Sequence, residues 1–197
     1  MVDSPLPSDR ARLGPSARDV DESARWQAAV DRLGAQVDPD GVVERMRVLA
    51  ARYPGTDGVA AFELGGALDS SGREAEAAAE YERALAAGLD DERRARLLIQ
   101  YASTLRNLGR AEEAVALMSE ADSHPAVGAA REVFLALALH SAGRADDALR
   151  VALEALVPTL PRYQRSVRAY AAALTGATTP EVGAPRPTQP SSSSGSI

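Results

Sequence analysis

Cysteine is absent from the chain, which excludes disulfides, thiolate metal sites and cysteine nucleophiles. Lysine is absent as well: all 22 basic residues are arginine. That excludes a Schiff-base lysine and the lysine of a phosphate-binding loop. Aromatic residues make up only 4% of the chain, although 45% of it is hydrophobic. Alanine makes up the difference, which suits closely packed helices better than a thick sheet core. No apolar run approaches the roughly 18 residues that a spanning helix needs, so no membrane segment is expected. Positive charge is scarce in relative terms too, with 28 acids against 22 bases and a net charge of −6. Without a basic block, nucleic acid is not an expected partner. Met1 to Gly14 holds no apolar core of signal-peptide length, and the expected location is cytoplasmic.

What the chain does contain is one turn written three times. Leu68-Asp69-Ser70-Ser71-Gly72-Arg73 leads into Glu74 and Ala77. Leu105-Arg106-Asn107-Leu108-Gly109-Arg110 leads into Glu112, Glu113 and Ala114. Leu139-His140-Ser141-Ala142-Gly143-Arg144 leads into Asp146, Asp147 and Ala148. Each reads as a helix end, a glycine and a helix start. The glycines recur at spacings of 37 and 34 residues, a period that signals stacked helical hairpins. The acids that open each second helix meet the positive end of its dipole, which is reason enough for them without a catalytic role.

Composition divides the chain. Residues 1–20 hold Pro5, Pro7 and Pro15 among Ser, Asp and Arg, and are expected to be a disordered tail. Residues 21–54 read as a helix pair, a cap or a degenerate repeat. Trp26, Ala29, Val30 and Leu33 share one helical face, Asp38-Pro39 reads as a cap followed by proline at a first helical position, and Pro54-Gly55 stops the second helix. Residues 55–175 carry three hairpins and a closing helix. The first hairpin breaks at Gly72. The second starts at Asp90 and Asp91, which cap it, and breaks at Gly109. Ser123-His124-Pro125 restarts the chain, with proline near a first helical position, and the third hairpin breaks at Gly143. A last helix, Arg162 to Leu174, is expected to carry Tyr163, Val167, Tyr170, Ala171 and Leu174 on one face. Residues 176–197 are Pro- and Ser-rich and are expected to be disordered.

The packing positions of the hairpins are also in register. The first shows Ala61-x2-Leu64-Gly65-x2-Leu68, then Ala77-x3-Tyr81-x2-Ala84. The second shows Leu98-x2-Tyr101-Ala102-x2-Leu105, then Ala114-x3-Met118-x2-Ala121. The third shows Glu132-x2-Leu135-Ala136-x2-Leu139, then Ala148-x3-Ala152-x2-Ala155. Small residues fall where two helices approach: Gly65, Ala102 and Ala136 on the first helices, Ala77, Ala114 and Ala148 on the second. This resembles the tetratricopeptide repeat, W-x2-L-G-x2-Y followed by A-x3-F. Ala61 stands for its tryptophan, Leu68 for its tyrosine and Ala152 for its phenylalanine. From about Gly58 to Leu174 the chain is similar to the bacterial group-5 tetratricopeptide-repeat family. The resemblance implies an all-α, right-handed α-α superhelix of three tetratricopeptide-like hairpins, with N- and C-terminal capping helices. It implies a protein-protein interaction scaffold, with no known reaction.

In such folds, as the resemblance implies, one side of each first helix lines a concave groove. Counting back from the glycines gives four rungs: Val59, Arg96 and Ala130; Phe62, Ile99 and Val133; Gly66, Ser103 and Leu137; Asp69, Arg106 and His140. Phe62, Ile99 and Val133 suit a large apolar side chain of a bound peptide, and Arg96, Arg106 and Asn107 suit a polar or charged group, with Asp69, Ser103, Leu137 and His140 lining the same groove. The same apolar residues also suit packing of repeat on repeat. Asp69 and Arg106 are expected to pair across adjacent hairpins, leaving His140 free. The terminal-carboxylate clamp of some tetratricopeptide proteins does not carry over, because lysine is absent and Ser103 stands where asparagine is needed.

No enzyme is expected. His124 and His140 have no cysteine and no nearby second histidine, so no zinc set forms. No convergent titratable cluster suggests catalysis, and no cofactor is implied. The expected partner is a protein or peptide, and the expected state a monomer or weak homo-oligomer. The rival readings are a self-associating subunit and an enzyme or small-ligand binder with a pocket between hairpins.

Overall fold

The computed structural model describes residues 17–35 and 41–176. These form nine α-helices: α1 (Ala17–Gly34), α2 (Val42–Ala50), α3 (Val59–Ser70), α4 (Glu74–Ala87), α5 (Asp91–Asn107), α6 (Ala111–Glu120), α7 (Ala130–Ser141), α8 (Ala145–Leu156) and α9 (Gln164–Leu174). No strand occurs among the described residues. Most of the two expected tails, and the expected cap at Asp38 and Pro39, lie outside them. α1 begins at Ala17, inside the stretch expected to be a tail. α2 begins at Val42, with Gly41 before it in the left-handed region, φ 84°.

Consecutive helices pack as pairs, α3 on α4, α5 on α6 and α7 on α8. The turn inside each pair is the same. Gly72, Gly109 and Gly143 have φ of 71°, 76° and 77°. Only glycine adopts this region without steric cost. The arginine N–H after each glycine reaches the carbonyl of Leu68, Leu105 or Leu139, at 2.9 Å each time. The glycine N–H reaches the carbonyl of Asp69, Arg106 or His140, at 3.0 Å each time. This 6→1 and 5→2 pair satisfies carbonyls that a helix end leaves open. The arginine then turns back onto the acid three residues later: Arg73 to Glu76, Arg110 to Glu113, Arg144 to Asp147. Those acids therefore do more than meet the helix dipole. The repeated Gly-Arg-x-x-acid spelling is the signal for the pair.

Small residues sit where the helices approach, as expected. A Cβ on Gly65 would lie 2.6 Å from Tyr81 Cε1 of α4. Ala77, Ala114 and Ala102 are almost fully buried, and Ala136 and Ala148 nearly so. Gly58, whose spacing gives no packing signal, is tighter still: its Cβ would meet the Ala84 carbonyl oxygen at 2.2 Å. Asp90 caps α5, accepting from the Arg93 N–H at 2.8 Å. In the front pair, Trp26 donates to the Leu49 carbonyl at 2.7 Å and its ring meets Tyr53 with centroids 4.6 Å apart.

Two expectations fail in the later part of the chain, at α7 and at α9. α7 starts at Ala130, not near Pro125, because residues 125–129 form consecutive turns, with Gly128 at φ 53°. His124 Nδ1 accepts from the Ala126 N–H at 3.2 Å, inside this connection. Tyr163 precedes α9 at φ 67° instead of opening its packing face. Tyr163 and Tyr170 are exposed, so α9 packs through Ala171, with Val167 and Leu174 half-buried.

Candidate functional site

The rungs read from the sequence lie on α3, α5 and α7, and these three helices touch in succession, α3 with α5 and α5 with α7. Exposure changes along the row. Val59 and Phe62 on α3 are buried in the core. Ile99 and Ser103 on α5 are half-buried. Val133 and Leu137 on α7 are 48% and 40% exposed. α3 is flanked by α2 and α5, whereas the last helix, α9, packs on α8. The Phe62 position is therefore covered and its equivalent on α7 is open. Phe62 offers no free side chain to a partner.

The polar rung differs from expectation. Asp69 and Arg106 do not pair. Asp69 Oδ1 instead accepts from the hydroxyl of Thr104, at 2.8 Å. Thr104 is fully buried; it lies two residues before Arg106, on a different side of α5, and its hydroxyl faces back to α3. Arg106 is half-buried, and its Nε is the one buried side-chain nitrogen or oxygen among the described residues with no hydrogen-bond partner. Such an orphan calls for an explanation, since buried donors are ordinarily satisfied. Arg96 is exposed and engaged by Glu92 at 2.7 Å. Asn107 and His140 are exposed.

Beside α3 the row opens into a cleft of about 630 Å³ between α1–α2 and α3–α5. Its apolar walls include Val30, Leu33, Met46 and Ala67, and Asp31, Glu63 and Asp69 enter it as carboxylates. None of its lining residues is cationic. Burial pushes the Glu63 carboxyl above its ordinary range, against the opposing effect of the Gln27 amide that donates to it at 3.3 Å. Burial raises Asp69 in the same way, and the Thr104 hydroxyl opposes it. The arginine near Glu63 on α5, Arg93, is engaged by Asp90 at 2.6 Å. Gln100 completes the cleft and accepts from the Tyr81 hydroxyl at 3.1 Å.

Sequence reasoning missed Glu63, Gln100 and Thr104. The first two were findable: Glu63, Gln100 and Phe134 share a register, one residue after the Phe62 rung. Thr104 carried no signal, since its role depends on where Asp69 lies across the helix contact. Chemically the face offers charge and apolar surface. No group of three or more His, Cys, Asp or Glu among the described residues is placed to hold a metal. No helix there is long and apolar enough to cross a membrane.

Helix pairs closed by one recurring turn, with small residues at each close crossing, define a helical-repeat protein of the tetratricopeptide type. A family model described as Tetratrico peptide repeat matches residues 58–174. The chain thus belongs to the group-5 tetratricopeptide-repeat family. Searches of curated proteins and of solved structures gave no match. Tetratricopeptide repeats generally mediate protein-protein interaction, and the family is typically a non-catalytic interaction scaffold.

Proposed function

We propose that the three helix pairs form a right-handed superhelix, capped by α1–α2 and α9, whose inner face binds a peptide or a segment of a partner protein. The observation that carries this reading is the open pair Val133 and Leu137, 48% and 40% exposed, one helix away from the unpartnered Nε of Arg106. Apolar side chains left uncovered on a helix face, beside a guanidinium with bonding capacity to spare, suit a partner with apolar and acidic groups. Ile99, Ser103, Asn107 and His140 flank them as contact residues. Phe62 supports the face from beneath, and Arg96 lies at its edge.

The experiment compares two double variants of similar chemistry. Val133→Ser with Leu137→Ser strips the inner face; Leu149→Ser with Leu156→Ser strips exposed apolar residues of α8. Each, with the unmodified chain, is used to capture proteins from its native lysate, and the captured proteins are identified by mass spectrometry. The first pair is expected to lose what the unmodified chain captures, and the second to keep it. The opposite pattern would move the interaction to α8.

A second reading has its own observation. Leu149, Leu156, Tyr163 and Tyr170 are all exposed, at 49%, 55%, 76% and 71%, on the last two helices and the connection between them. A copy-to-copy contact through this end would bury them. Light scattering that reports a dimer, lost in Leu156→Ser with Tyr170→Ser, would support it.

A further inference from the structure

The inner face changes sign along its length. At the α1–α3 end, the cleft combines apolar walls with Asp31, Glu63 and Asp69 and has no cationic lining residue. Each of the latter two carboxylates accepts a hydrogen bond from a neutral group only, Gln27 or Thr104, while Arg93, which donates to Gln27 at 3.3 Å, and Arg96 act on Glu63 from outside the cleft lining. One helix further on, Arg106 is half-buried and forms no ion pair among the described residues; its unpartnered Nε is enclosed, so a partner would meet the terminal guanidinium nitrogens. One helix beyond that, Val133 and Leu137 are open. The features are independent: carboxylates without a cation in the cleft, a guanidinium without a full set of acceptors, and apolar side chains without cover. Each is what a bound side chain of the opposite kind would complete. Burying an ion without a counter-charge is costly, and a partner that supplies it removes that cost.

Resting on the inner-face reading above, we propose that the partner is an extended peptide segment with a fixed order of side chains. An arginine or lysine enters the cleft beside Asp31, Glu63 and Asp69. A carboxylate then meets Arg106, and an apolar side chain lies on Val133 and Leu137. Packed helices lie about 10 Å apart, and an extended chain advances about 3.3 Å per residue. The three groups therefore fall roughly three residues apart, as cation-x2-acid-x2-apolar. Specificity comes from that order, since a like charge set against the cleft or against Arg106 is repelled.

The test titrates the ¹⁵N-labelled full chain with two synthetic peptides of one composition, followed by NMR. The matched peptide is Arg-Ser-Ser-Glu-Ser-Ser-Leu; the swapped peptide is Glu-Ser-Ser-Arg-Ser-Ser-Leu; both have blocked ends. The matched peptide is expected to bind at least about tenfold more tightly, with amide shifts at Gly66, Asp69, Ser103 and Leu137. Glu63→Gln with Asp69→Asn should remove that preference while the apolar contact on α7 persists. Equal binding of both peptides on this face would overturn the charge order and leave the inner-face reading standing. Shifts confined to α8 and α9, or no shifts with either peptide, would sink both. Concentration-dependent shifts at Val133 and Leu137 without peptide would give the face to a second copy of this chain and overturn the proposal.

Discussion

The first helix pair, α3–α4, and the third, α7–α8, share a turn and differ in almost everything packed behind it. Their glycine turns match bond for bond, within 0.1 Å. Yet α3 buries Val59, Phe62, Leu64, Gly65, Ala67 and Leu68, while α7 buries only Ala136, Ala138 and Leu139. The residue that fills the space behind the small position shrinks along the chain, from Tyr81 to Met118 to Ala152. Tyr81 and Met118 are fully buried, and Ala152 is half-buried. The difference teaches that a local motif and a packed core are specified separately. The turn needs one glycine and backbone hydrogen bonds. The core needs volume, and neighbours on both sides.

Replacing the large residue breaks the comparison most severely. Tyr81→Ala should destabilise the chain by about 3–5 kcal/mol, the usual cost of truncating a fully buried large aromatic. Ala152→Gly, at the equivalent position of the third pair, should cost about 1 kcal/mol through helix propensity. Urea unfolding of both variants checks this, and similar losses would mean the pairs are equally packed.

A smaller effect is expected when volume is added instead. Gly65→Leu should cost roughly 1–3 kcal/mol, because the new side chain starts 2.6 Å from the Tyr81 ring and that ring is enclosed. The corresponding Ala136→Leu should cost less than half as much, since it faces a thinner pair. A thermal melt that ranks them the other way would show that the third pair is the tighter one.

The smallest effect separates the pairs by pH. Glu63 is half-buried on α3, and its counterpart on α7 is Phe134. Burial holds the folded Glu63 pKa above its ordinary 4.5. In that window the unfolded chain binds fewer protons than the folded one, so stability falls as pH rises from about 4.5 through the raised value. Above it, the full cost of the buried charge remains. Glu63→Gln should flatten this fall and leave the variant slightly the more stable at neutral pH, with the two converging in acid. Unfolding measured across the acidic range checks the sign; a variant less stable at neutral pH would show that the carboxylate is better satisfied than the cleft suggests.

Much of the architecture was legible because it is written in local terms. The glycine spacing, the small residues and the Asp90 cap each act within a few residues or at one crossing. Helix starts at Glu74, Asp91 and Ala145 follow from them, as does the close approach of Gly65. The misreadings share a cause. Pro125 has the sequence context of a helix start, but residues 125–129 form turns and the helix opens at Ala130. Tyr163 and Tyr170 fit a helical face by spacing, yet no element among the described residues covers them.

The candidate face shows the same division. Register alone placed Phe62, Ile99 and Val133 on one row, and Asp69, Arg106 and His140 on another, because helical spacing fixes which side of a helix a residue occupies. Register could not say that Phe62 is covered, that Val133 is open, or that Asp69 turns to Thr104 and leaves Arg106 with a spare donor. Those outcomes depend on which helices flank α3 and α7, and on side chains meeting across contacts between residues 35 apart in sequence. Periodicity carries the repeat; burial and partnering are properties of a residue's place in the stack, and equivalent positions in a repeat have different neighbours at its two ends.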